Sequence, residues 1–119
     1  MLSVGTTTRV FVARDPVDMR GSFDALAGRV RALDLDPLDG HLYVFFSRRR
    51  HMVAVLAFDR TGWCLFRKRL ARGTFELPAM SAGATRVTVD GRVLGALLGG
   101  LDLRAPRRRW YDRPSPPGS

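Results

Sequence analysis

Arg48-Arg49-Arg50-His51 places three guanidinium groups and an imidazole on four consecutive residues. Guanidinium is planar, permanently charged and able to hold two phosphate oxygens at once, so this run is a candidate phosphate clamp. The competing reading is a solvated turn. A second basic group, Arg67-Lys68-Arg69 with Arg72, ends a hydrophobic run. Strand alternation puts Arg67 and Arg69 on one face and Lys68 on the other. These charges either extend a basic stripe or keep a strand end from pairing with foreign sheets. A third group, Arg107-Arg108-Arg109-Trp110-Tyr111 with Arg113, interleaves cations with two aromatic rings. Such a segment can neutralise phosphates and stack bases, or dock on a protein with Trp110 as anchor. A plain disordered tail is the alternative.

Other reactive residue types do not assemble into a catalytic pattern. Asp15, Asp18 and Asp24 invite a two-metal nuclease reading. Each has a simpler role: Asp15 precedes Pro16 in a turn, Asp18 caps a helix, and Asp24 lies on that helix's polar side. His41 and His51 are too few for a metal site without cysteines or paired carboxylates, and both read as surface or turn residues. Cys64 lies between Trp63 and Leu65 in a strand and reads as a buried small hydrophobe, not a nucleophile. No catalytic residues, metal or cofactor are expected.

The chain has 119 residues, 20 basic against 11 acidic, for a net charge of +9. A polyanionic partner is the first expectation. The distribution sharpens it. Residues 1–36 balance five arginines against five aspartates. Residues 37–75 carry eight basic and two acidic groups, and 104–119 carry five arginines against Asp112. Charge therefore concentrates in a central block and a tail. Lys68 is the sole lysine. A lone cysteine excludes an internal disulfide. The N-terminus lacks a basic start, an apolar stretch and a small-residue cleavage site, so a cytoplasmic setting with no membrane association is expected.

The elements that must position these groups follow from periodicity. Residues 9–13 are β-branched and aromatic, which suits a strand. Met19, Phe23, Leu26, Val30 and Leu33 form one apolar stripe, predicting an amphipathic helix over 19–33 with Asp18 as N-cap. Pro37 and Asp39-Gly40 separate it from 42–46 (LYVFF) and 52–58 (MVAVLAF). Residues 47–51 join these two strands as a hairpin loop. Asp59-Arg60-Thr61-Gly62 starts a second hairpin, with Gly62 expected at positive φ, and 63–70 returns. Strands apolar at nearly every position need cover on both faces, from the helix on one and from the C-terminal part or a second copy on the other. After a turn at Arg72-Gly73 come a strand at 85–89 and a helix at 91–99 capped by Asp90. The expected architecture is α+β: a mostly antiparallel β-meander sheet packed by one amphipathic helix, with a short C-terminal helix and a basic tail. Residues 1–104 form one domain and 105–119 a basic, proline-rich tail.

PVDMRGSFDAL (16–26), DPLDGHLYVFF (36–46), DRTGWCLFRKRLARGTFELP (59–78) and LGALLGGLDL (94–103) occur in that order. Together they resemble the TnpB accessory proteins of the insertion-sequence-sixty-six type of transposon, distinct from the RNA-guided nuclease of the same name. The resemblance spans about residues 8–104. It rests most on P-V-D-M-R paired with the D-x-x-G-x-C-L-x-x-K-R-L-x-x-G-x-F-x-x-P spacing. It implies a small protein encoded beside a larger DDE-type transposase and needed for efficient transposition, with no assigned catalytic residues. The partners expected are therefore DNA, bound without sequence preference, and the element's transposase, with a homodimer as a further expectation. The rival reading is a protein–protein adaptor whose positive charge is incidental. No element resembles a recognition helix, because the first is charge-balanced and the second too apolar.

Overall fold

A computed structural model describes residues 8–99 of the chain. The elements are β1 (Val10–Ala13), α1 (Phe23–Ala32), β2 (Leu42–Phe46), β3 (Met52–Asp59), β4 (Gly62–Arg69), β5 (Arg86–Val89) and α2 (Gly91–Leu98). One five-stranded sheet has the order β4-β3-β2-β1-β5. β2, β3 and β4 form the expected meander, with Val55 facing Phe66 and Val44 facing Val55 across the two hairpins. β1 adds beside β2 in parallel, Phe11 opposite Tyr43, and β5 closes the other edge antiparallel to β1. The fold is thus α+β and mostly antiparallel, with a single β1-α1-β2 crossover unit inside it.

All four residues of β1 and all five of β2 are buried. Their unbroken apolar sequences are what a central strand covered on both faces requires. One face carries Phe11, Tyr43, Phe45, Ala54 and Leu56, covered by Leu26, Ala27 and Val30 of α1. The other carries Val10, Val12, Val44, Val53 and Val55, covered by Leu94 and Leu97 of α2 and by Phe75. Each of the Val, Leu and Phe side chains among these contributes about 1.5–3 kcal/mol when fully buried. Both covers come from the chain itself.

Two turn expectations are corrected. α1 begins at Phe23, not Met19, and its N-cap is Ser22, whose Oγ accepts the Ala25 N–H at 3.2 Å. Residues 18–21 form a turn instead, closed by Gly21 N–H to the Asp18 carbonyl at 3.0 Å. Arg20 captures the Asp18 carboxylate through both its backbone N–H and its guanidinium, at 2.9 Å each. A carboxylate held there cannot cap a helix that starts five residues later. Met19 still packs against the α1-side core. Second, Gly62 has no positive φ. Asp59 shapes that hairpin by itself: its Oδ1 accepts Thr61 N–H, Thr61 Oγ1–H and Gly62 N–H within 3.1 Å. This local bonding, which Asp favours in turns, removes the need for a left-handed glycine.

α1 closes with Leu33 as C-cap and Asp34 in the left-handed region at φ 61°. Asp34 N–H reaches the Arg31 carbonyl at 3.0 Å and Leu35 N–H that of Val30 at 3.3 Å. These are the two bonds of a Schellman motif, with aspartate where glycine is usual. Asp90 caps α2 as expected, its Oδ1 accepting Val93 N–H at 2.8 Å.

Candidate nucleic-acid interface

The 47–51 loop begins as a tight turn. Arg50 N–H bonds to the Ser47 carbonyl at 2.9 Å, and Ser47 N–H to that of Met52 at 3.0 Å. The Ser47 hydroxyl also accepts the Met52 N–H at 3.1 Å. Arg48 and Arg49 are therefore the central residues of the turn, and both are exposed. Arg50 follows in the left-handed region at φ 58°. A hairpin loop closed by a turn commonly places its next residue there, and backbone bonds from elsewhere in the chain reinforce it.

Those bonds come from the chain after β4. Leu70 N–H donates to the His51 carbonyl at 2.9 Å, and Phe75 N–H to the Arg50 carbonyl at 2.6 Å. Phe75 is fully buried and packs on Phe46, ring centres 5.7 Å apart. Segment 70–75 is thus strapped to the hairpin tip by two backbone bonds and pinned by a core aromatic. The strap brings Arg69 and Arg72, both exposed, to the end of the sheet that carries Arg48, Arg49 and Arg50. Among the described residues, the ion pairs are Arg14–Asp15 and Arg20–Asp18. None involves these five guanidiniums.

The remaining members of the second basic group are tied into the scaffold. The expected alternation holds: Arg67 faces Ala54 and Arg69 faces Met52, while Lys68 faces Val53 on the opposite side. The Arg67 guanidinium donates to the Gly21 carbonyl at 2.8 Å, joining β4 to the turn before α1. The Lys68 ammonium donates to the Leu98 carbonyl at 2.7 Å, at the C-terminal end of α2. Arg86 does the same for α1, donating to the Leu33 carbonyl at 2.8 Å. Cations at helix C-termini answer unsatisfied carbonyls and the negative end of the helix dipole. Sequence reading had no signal for these pairings, because each partner lies far along the chain. Arg107, Arg108, Arg109 and Trp110 fall outside the described residues. The bond from Lys68 sets the C-terminal end of α2 against the strand that bears Arg67 and Arg69.

The acidic and sulfur groups are engaged elsewhere. The Arg20 guanidinium hydrogen-bonded to Asp18 holds its carboxyl down to about 2. Asp15 pairs with Arg14, and Asp24 sits in the first turn of α1. Among the described residues no group of three His, Cys, Asp or Glu side chains is placed to hold a metal ion. Cys64 is half-buried, and its thiol lies 3.5 Å from Asp59 Oδ2. Partial burial, and then that carboxylate, push the thiol up and away from a reactive thiolate. His41 Nδ1 accepts the Arg9 N–H at 3.0 Å, a structural use of the ring. No described helix is long and apolar enough to cross a membrane.

The family model described as IS66 Orf2 like protein matches residues 8–108. Two uncharacterized proteins of Sinorhizobium fredii (strain NBRC 101917 / NGR234) are similar over nearly their whole lengths. Protein y4hO is 42% identical across 92% of this chain and 95% of its own. Protein y4jC is 31% identical across 97% of each. No solved structure matches the chain. The chain belongs to the IS66 Orf2-like family of transposon accessory proteins.

Proposed function

From membership of that family, we propose that the protein is a non-enzymatic transposition accessory factor that grips DNA by its phosphates. The grip is the arginine end of the sheet, formed by Arg48, Arg49, Arg50, Arg69 and Arg72. One observation carries this reading: two backbone bonds from Leu70 and Phe75 fasten the two arginine groups together, with no described acidic partner for either. The held backbone keeps the two arginine groups at one end of the sheet, where their guanidiniums can give bidentate contacts to phosphate. Arg67 and Lys68 act mainly by holding the scaffold, and Arg107, Arg108 and Arg109 add positive charge. The helices support no direct reading of base edges: α1 lies against the sheet by its apolar side, and α2 is short and half-buried. Sequence selection is left to the transposase.

The test is fluorescence anisotropy of a mixed-sequence duplex across a salt series. Arg48→Ala/Arg49→Ala/Arg50→Ala is expected to weaken binding and flatten the log–log salt slope by about 0.9 for each phosphate no longer neutralised. An affinity that is indifferent to salt and to these three substitutions would overturn the reading in favour of the adaptor. Pulldown of the element's transposase, with and without nuclease treatment, separates direct protein contact from tethering through DNA.

A further inference from the structure

Beside the hairpin tip lies an open cleft of about 390 Å³. Its two walls differ in chemistry. The tip supplies Arg48, Arg49 and His51, while the chain leaving β1 supplies Pro16, Val17 and Met19. The walls are stitched at the base by Val17 N–H to the Phe46 carbonyl at 2.9 Å. Asp18 also borders the cleft, but Arg20 occupies both its carboxylate oxygens, within 3.3 Å. Ser47, the other polar neighbour, accepts from Met52 N–H and keeps its own O–H as a donor. The polar groups left to meet a ligand are therefore the two guanidiniums, the imidazole and one hydroxyl donor, and they face an aliphatic wall.

Neutralising the convex backbone of a duplex needs charge on a surface and no recess. A recess with a cationic side and an apolar side fits a phosphate joined to a flat apolar ring. A paired base is stacked inside its duplex and cannot enter, whereas an unpaired base can. We propose that this cleft holds one unpaired nucleotide of a DNA strand, its phosphate on Arg48 and Arg49 and its base against Pro16 and Met19. This rests on the DNA-binding reading above and narrows it: the protein prefers DNA with a single-stranded extension or an extruded base over blunt duplex. That substrate class is the one present where strands have been cut and partly separated.

The experiment compares a duplex carrying a short single-stranded extension with a blunt duplex of equal phosphate number, using the full chain. Wild type is expected to bind the extended DNA about three- to tenfold tighter, the low end of what one stacked base contributes because the wall is not aromatic. A 2-aminopurine in the extension should change its emission on binding. Met19→Ala and Pro16→Ala should each bring the affinity ratio towards one and suppress the emission change, with thermal melting to show that each variant folds. Pro16 is exposed, so its replacement keeps the test alive if Met19→Ala weakens the core. Equal affinity of wild type for the two DNAs, with salt-dependent duplex binding intact, overturns the cleft and leaves the phosphate grip standing. Failure to bind either DNA overturns both.

Discussion

At the residue scale, Asp18 shows how a side chain's neighbour decides its role. As a helix cap it would serve α1; as a metal ligand it would serve a nuclease. Arg20, two residues on, instead draws it into a surface ion pair and lowers its carboxyl from 3.8 to about 2. The folded-state value lies below the unfolded one, so the pair's contribution is present above pH 4 and disappears as pH falls towards 2. Both side chains are mostly exposed, so the contribution to stability is small. A carbon-detected NMR titration is expected to place the Asp18 midpoint near 2. Arg20→Ala should raise it towards the ordinary aspartate value of about 3.9 but short of it, because the backbone N–H of residue 20 still donates to the carboxylate. A midpoint near 4 in the wild type would dissolve the pairing.

At the element scale, the sequence periodicities were good guides to where strands and helices lie and poor guides to what ends them. The stripe from Met19 to Leu33 is real, and its members share one core, yet the helix starts only at Phe23 because Gly21 and Ser22 interrupt it. Glycine closing a turn, followed by serine immediately before Phe23, was the available signal. The helix C-termini lie where the periodicity put them, at Leu33 and Gly99, but the cations that bond their carbonyls were beyond sequence reading, since they arrive from distant strands. Lys68→Met keeps the length of the side chain and removes the ammonium. It is expected to destabilise the fold by about 1 kcal/mol, read as a lowered urea midpoint. The salt slope of DNA binding should hold steady, because the ammonium is already engaged by Leu98. A slope that drops by about 0.9 with unchanged stability would make Lys68 a phosphate ligand instead.

At the scale of the whole molecule, the two-sided apolar strands demanded cover, and the chain supplies it twice over. α1 shields one face; α2, Phe75 and Leu77 shield the other. The strand pattern by itself therefore asks for no second copy. Light scattering at high concentration is expected to return the monomer mass of 13.3 kDa. Twice that mass would direct attention to β4, the outer strand of the sheet among the described residues, where Phe66 is 38% exposed beside Arg67. The fold also gives the molecule a direction. The hairpin tip and its strap gather cations at one end of the sheet, while Asp36 and Asp39 sit in the loop that enters β2 at the other. There they anchor Tyr43, whose single hydroxyl hydrogen is shared between Asp39 Oδ2 at 2.6 Å and the Asp36 carbonyl at 2.9 Å. Burial, and then these neighbours, raise the Tyr43 hydroxyl far above its ordinary value, so it stays protonated as a donor.

The amino-acid sequence by itself determined the meander, both helices, the Asp90 cap and the membership signalled by its spaced motifs, because these depend on periodicity and neighbours close along the chain. It also identified which arginines are clustered. Tertiary structure alone decided that β1 joins β2 in parallel, that Arg67, Lys68 and Arg86 bond to backbone carbonyls, and that segment 70–75 straps Arg69 and Arg72 to the hairpin tip. Each of these joins residues distant in sequence. Such a contact forms only when burial of a shared core repays the entropy of closing the intervening loop, a balance that no local pattern records.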